Sequence, residues 1–220
     1  MGQPDRGRFG EPVRVPWIGG DSVSLFVCRH GRTTANASGL LLGRADPELD
    51  PVGRDQARAI AGATPAADLV VSSPLARCRQ TAEAFGRPVR IDERMIELDY
   101  GELDLTPLAD VPPEVWASWR RDSDFRPPGG ETLNELEERV ASGLADLVDD
   151  ALEGTVVVVT HVSPVKAALA WALQCPIDIS WRCFVAQASI TEIGVSSSGP
   201  SLRLFNGVAH LESLVEPERS

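Results

Sequence analysis

The chain has 220 residues, a net charge of −11, 43% hydrophobic and 24% charged residues. That length and composition suit one globular domain with a proper core, and the acidic balance argues against a nucleic acid or a membrane surface as the main partner. The four cysteines, Cys28, Cys78, Cys175 and Cys183, form no C-x-x-C pair and read as buried free thiols of a cytoplasmic protein.

Residues 1–20 are rich in Gly, Pro and Arg and lack both periodicity and an apolar stretch, which predicts a flexible extension, neither signal peptide nor membrane span. The apolar run at 23–28 predicts a strand that delivers Arg29-His30-Gly31 to a loop, the place where open α/β sheets bind ligands. The stretch from Val52 to Ala63, behind Pro51, carries Ala57, Ile60 and Ala61 at helical spacing. Leu69-Val70-Val71 predicts a second strand, after which Ser73-Pro74 opens a helix to about Phe85, with serine as cap and proline in the first turn. A short strand is expected at 89–91. Residues 105–130 differ in character: several prolines surround a short helix with Trp116 and Trp119, which reads as a cap inserted over the strand ends.

Thr132 and Glu135 have capping-box spacing, and Leu133, Leu136, Val140, Leu144 and Leu147 continue one apolar stripe, the long helix of the fold. Val156 to Val159 carries no polar residue, as expected of a central strand buried on both faces, and runs into Thr160-His161. Ser163-Pro164 starts a helix whose first amides lie beside His161, where an anion is expected. Ile190 to Ile193 and Leu202 to Phe205, separated by a turn at 194–200, read as a terminal hairpin. Strands alternating with helices predict a sheet covered on both faces in one domain, residues 21–215.

Arg29 and Arg77 are two guanidinium forks that converge on one pocket if their strands are neighbours, and such forks match phosphate oxygens. His30 and His161 complete a ring of cations and donors. Permanent positive charge repels a metal ion, so this set makes a poor metal site and a good phosphoryl site. No cofactor is expected.

Arg29-His30-Gly31-Arg32-Thr33-Thr34-Ala35-Asn36 resembles the R-H-G-x-T-x-x-N signature of the histidine phosphatase superfamily, the phosphoglycerate-mutase-like family (branch 1). Ser72 to Ala82 matches its S-S-P-L-x-R-x-x-Q-T-A element almost letter for letter, and Thr160-His161 matches its second histidine. The similarity runs from about Val23 to His210, taking in Gly43-Arg44 and Pro127 to Thr132. It implies a three-layer α/β/α sandwich around a mostly parallel mixed sheet, with a small cap. It also implies that His30 takes up the phosphoryl group as phosphohistidine, that Glu97 exchanges protons with the leaving oxygen, and that Arg29, Thr33, Asn36, Arg44, Arg77 and His161 contact the phosphate.

Asp99, Glu102 and Asp104 compete with Glu97 in sequence, yet each reads as a solvated loop carboxylate. Arg44 reads equally well as a surface ion pair, and Arg120 and Arg121 as solvated cap residues. Two departures adjoin the pocket: Leu103 stands in the region where the family shows G-x-W-E-G, and Val162 follows the second histidine in place of glycine. The activity expected is a metal-independent phosphatase acting on a small phosphorylated metabolite, in a chain that is a possible homodimer. Phosphoglycerate mutase is the alternative, and a non-catalytic protein binding phosphorylated ligands is a third reading.

Overall fold

Alternation in the two central apolar runs shapes the whole molecule. The strands are β1 (Ser24–Arg29), β2 (Leu69–Ser72), β3 (Val89–Ile91), β4 (Val156–Thr160), β5 (Ile190–Ser196) and β6 (Gly199–Gly207). They form one six-stranded sheet in the order β3-β2-β4-β1-β5-β6. β3, β2, β4 and β1 run parallel, while β5 is antiparallel to both β1 and β6. Leu25, Val27, Val156 and Val158 enter one buried core, and Phe26, Cys28, Val157 and Val159 enter the other. Period-2 side-chain direction thus feeds both faces of the sheet. This computed structural model describes residues 24–214, so the expected extension at 1–20 and the outer ends of the expected domain lie outside the described residues.

The helices are α1 (Thr34–Ala37), α2 (Pro51–Ala63), α3 (Ala76–Glu83), α4 (Pro113–Arg121), α5 (Leu133–Ala145), α6 (Val148–Glu153) and α7 (Val162–Leu173). Ile60 of α2 and Cys78 and Ala82 of α3 cover one face, and Leu136, Val140 and Leu144 of α5 with Val165 and Ala168 of α7 cover the other. The expected three-layer sandwich is therefore present. Asp50 caps α2 by accepting from the Gly53 N–H at 2.7 Å, and Thr132 caps α5 through the capping box seen in its sequence. Among the described residues no helix is long and apolar enough to cross a membrane.

Three boundaries differ from expectation. The helix after Ser73-Pro74 begins only at Ala76, with Leu75 extended and without a side-chain cap, and it ends at Glu83. Its serine is diverted, because the Ser73 hydroxyl lies 2.7 Å from His161 Nε2. The long apolar stripe breaks at Asp146 and resumes in α6, although Leu147 stays fully buried at the break. The terminal strands run through most of the expected turn, leaving Ser197 and Ser198 between them, with Gly199 supplying a φ of 105°.

Leu144 is fully buried between α5 and the sheet, so Leu144→Ala is expected to lower the unfolding free energy by about 2–5 kcal/mol. Urea denaturation with an unchanged m-value checks this; a loss below about 1 kcal/mol would show that this core refills the space.

Candidate active site

Strand register builds the site before any side chain is considered. Arg29 is paired with Thr160 across β1 and β4, and the His30 N–H donates to the Thr160 carbonyl at 2.9 Å. The next residues of the two strands, His30 and His161, therefore emerge side by side, with ring centroids 5.1 Å apart in an edge-to-face arrangement. β4 lies between β1 and β2, which corrects the expectation that the arginine-bearing strands are neighbours. Arg29 and Arg77 thus reach the site from either side of the central strand.

The loop after β1 is fixed by close backbone contact. A Cβ on Gly31 would lie 2.3 Å from the Gly53 carbonyl oxygen, and one on Gly53 would lie 2.0 Å from that of Arg32. Glycine at both positions lets the first turn of α2 press against the loop. The Gly31 N–H donates to Thr81 Oγ1 of α3, and the Arg32 N–H to Gln56 of α2. His30 is consequently held from two helices.

Within that frame the His30 Nδ1 lies 2.7 Å from the Gly31 carbonyl oxygen. A carbonyl only accepts, so Nδ1 carries the hydrogen and Nε2 keeps a lone pair. Burial, reinforced by the Arg77 and Arg29 charges, holds the His30 imidazole well below its usual pKa. His161 is also held well below its usual pKa, by burial first, then by Arg77, His30 and Arg29. The Arg77 Nε–H donates to His161 Nδ1 at 3.2 Å, which leaves the His161 proton on Nε2, facing the Ser73 hydroxyl. Both His161 nitrogens are engaged inside the protein. In this arrangement His161 holds Arg77 in place through Nδ1.

Arg77 is fully buried, and its two terminal nitrogens donate to the Ala45 and Gly43 carbonyls at 2.7 and 2.8 Å. Those same residues turn their N–H groups to Asp104, whose two carboxylate oxygens accept from Gly43 and Ala45 at 2.7 Å each. Asp104 is thus no solvated carboxylate: it clamps the loop that aims Arg77. The sequence offered no periodic or motif signal for it.

Arg29 donates to the Val185 carbonyl at 2.8 Å, while its Nε is buried without an acceptor. Burial lowers its pKa to about 10, opposed chiefly by Glu97. The Asn36 Oδ1 accepts from the Thr33 N–H and hydroxyl at 3.1 and 3.0 Å, so its amide nitrogen is left for the cavity that Asn36 lines. Thr33 is fully buried, spends its hydroxyl on capping α1, and does not line that cavity. Arg44 also stands outside the lining, 3.5 Å from Glu131 and 3.9 Å from Asp99. Neither residue is brought to the phosphate position expected for it.

Glu97 is buried against the start of α7, its Oε1 accepting from the Leu98 and Ser163 N–H groups at 2.8 and 3.1 Å and its Oε2 from Val162 at 3.1 Å. The anion anticipated at this helix N-terminus is therefore the Glu97 carboxylate itself. Oε2 retains one lone pair for a proton. Asp99 instead accepts from Gly101, and Glu102 is exposed.

The cavity over these groups has a volume of 330 Å³, and residues 105–130 supply part of its wall through Leu108, Trp116 and Trp119. The rest comes partly from Trp181, Phe184 and Val185 after α7, a stretch whose aromatic side chains follow no period and which sequence reading passed over. Trp119 is 1% exposed and packs as core, whereas Arg120 lies over the Trp181 ring at 5.7 Å, so it is not simply solvated. Cys28 is buried with its thiol pushed up to about 12, the inert state expected of it. Cys175 and Cys183 are only half-buried.

Two outcomes follow from this geometry. Asp104→Asn puts an amide N–H₂ against a backbone donor, so inhibition by inorganic phosphate should weaken severalfold while the urea midpoint moves little. Unchanged inhibition would detach Asp104 from the aim of Arg77. Because His30 and His161 bind protons more weakly folded than unfolded, stability is complete above pH 6.5 and falls as pH drops below it, by up to about 1.4 kcal/mol per pH unit for each histidine. Urea unfolding at pH 7.5 and 5.5 checks this, and His161→Gln should reduce the difference.

Similarity to known proteins agrees with this layout. The profile of the histidine phosphatase superfamily (branch 1) matches residues 25–207. The chain is 32% identical over 213 residues to the bifunctional protein Rv2228c of Mycobacterium tuberculosis, covering 91% of this chain and 58% of that protein. It is 28% identical over 207 residues to the probable phosphoglycerate mutase GpmB of Salmonella choleraesuis, covering 87% and 96%. The mycobacterial glucosyl-3-phosphoglycerate phosphatase Rv2419c superposes with a TM-score of 0.76 at 28% identity, covering 85% of this chain and all of that one. With that profile spanning most of its length, the chain belongs to branch 1 of the histidine phosphatase superfamily.

Proposed function

We propose that the chain is a phosphatase that hydrolyses a small phosphomonoester through a phosphohistidine on His30, without a metal ion. The observation that carries this reading is the His30 tautomer: Nδ1 is committed to the Gly31 carbonyl, and burial, reinforced by two guanidinium groups, keeps Nε2 unprotonated. The nucleophile is prepared before substrate arrives.

In the first step Nε2 attacks phosphorus in line, the bond from phosphorus to the ester oxygen breaks, and Glu97, entering the step protonated on Oε2, delivers the proton that the departing alkoxide needs. Arg29, through its unpaired Nε–H, and the Asn36 amide stabilise the equatorial oxygens, and Arg77, buried behind them, adds positive charge. In the second step Glu97 takes a proton from water, the oxygen attacks phosphorus, and the nitrogen–phosphorus bond breaks to release phosphate and neutral His30. The cationic charge is supplied by arginine throughout. A mutase would return the phosphoryl group to a bound hydroxyl instead.

Turnover of p-nitrophenyl phosphate should survive chelator and fall by roughly 10³-fold or more in His30→Ala, with acid-labile label from radioactive substrate trapped on wild type only. Chelator-sensitive turnover, or full activity without His30, rejects the mechanism, and interconversion of phosphoglycerates without phosphate release favours the mutase. Glu97→Gln should cost about 10²–10⁴-fold on an alkyl phosphate and less on p-nitrophenyl phosphate, whose phenolate leaves unaided. Since His30 is already neutral, kcat/KM should show no loss from His30 protonation as pH falls from 8 to 6.5.

A further inference from the structure

The cavity has two chemically distinct ends. At one end Arg29, His30, Asn36 and Glu97 gather round the phosphoryl position, and Lys166 also lines the cavity, its ammonium within electrostatic reach of Glu97, of Cys183 on the opposite wall and of Arg29. The hydroxyls of Tyr100 and Ser163 at this end satisfy each other at 3.2 Å. The remaining wall is built from Leu40, Leu108, Trp116, Trp181, Phe184 and neighbouring aliphatic side chains. Its polar members are the Ser180 hydroxyl, the Cys183 thiol and the indole N–H groups of Trp119 and Trp181, which are buried and without an acceptor.

Phe184 is 76% exposed and Leu108 47%, both on this wall, although 330 Å³ of cavity lies beside them. Apolar side chains left uncovered around a concave site mark the place where an apolar ligand removes them from water. A leaving group rich in hydroxyls, such as a sugar or a glycerate, would find few partners there and would lose its water without replacement.

We infer that the substrate is the phosphomonoester of an apolar alcohol, alkyl or aryl, whose hydrocarbon body packs against Trp116, Trp181, Phe184 and Leu108. This rests on the phosphatase reading for the reacting end of the same cavity. It adds what the other end selects. The aromatic edge formed by Trp116 and Trp181, whose ring centroids are 6.4 Å apart, is braced from outside by Arg120, so the wall is a prepared surface.

Alkylphosphonates separate the two readings because their carbon–phosphorus bond cannot be hydrolysed. Calorimetric affinity should rise about threefold per added methylene from ethyl- to butyl- to hexylphosphonate, about 80-fold in all. Phe184→Ser, at an exposed position, should shrink the ratio of hexyl to ethyl affinity severalfold. With the corresponding phosphate esters, phosphate release should favour hexyl phosphate over glycerol 3-phosphate. Affinity independent of chain length, or preferential hydrolysis of glycerol 3-phosphate, overturns the inference. Retained chain-length dependence in a protein that releases no phosphate from any ester supports the apolar subsite and overturns the phosphatase reading alone.

Discussion

Two permanently charged guanidinium groups are buried against two imidazoles, and the site depends on keeping those imidazoles neutral. Removing Arg77 from water carries a large desolvation cost, which is tolerable only because its Nε and both terminal nitrogens find acceptors in His161, Gly43 and Ala45. Protonating His161 would place a second cation against the first and remove the acceptor at Nδ1. The same charges keep His30 unprotonated, so one electrostatic constraint maintains both the frame and the nucleophile. An incoming phosphate is the counter-ion this arrangement lacks, and Arg29 retains an unpaired donor for it.

Backbone register does the rest. Pairing of Arg29 with Thr160 fixes the separation of the two histidines, and a slip of one residue would send one ring to the opposite face of the sheet. The first turn of α2 and the last turn of α3 then seat the His30 loop through Gly31, Gly53 and Thr81. Glu97 reaches the cavity by a different route, held by backbone amides at the head of α7. Its carboxylate is seated by helix-terminal amides, while the Arg139 guanidinium holds the backbone behind it through the Ile96 and Glu97 carbonyls.

Much of this was legible in the sequence. The uninterrupted Val156 to Val159 run marked the central strand, the Thr132 capping box marked α5, and the motifs around His30 and Arg77 marked the groups that the fold brings together. What remained hidden were choices between partners that local pattern cannot rank. Ser73 has the composition of a helix cap, but a histidine 88 residues away in sequence captures its hydroxyl. Thr33 and Asn36 look alike as phosphate donors, yet one caps α1 and so orients the other. Arg44, equally an ion pair or an anion contact on paper, lies against carboxylates. Trp181 and Phe184 sit in a stretch without period, so only the tertiary fold shows that they line the cavity.

The double clamp on residues 43–45 joins two parts of the molecule that otherwise answer to different demands. Asp104 stands at the threshold of the cap, where Leu41 exchanges backbone hydrogen bonds with Leu105 and Thr106, while the same short loop carries the acceptors of Arg77. Any displacement of the cap at Asp104 would therefore reach a buried guanidinium. A ligand that shifted Asp104 on binding would couple its own affinity to the grip on the anion, each changing the other by the same factor.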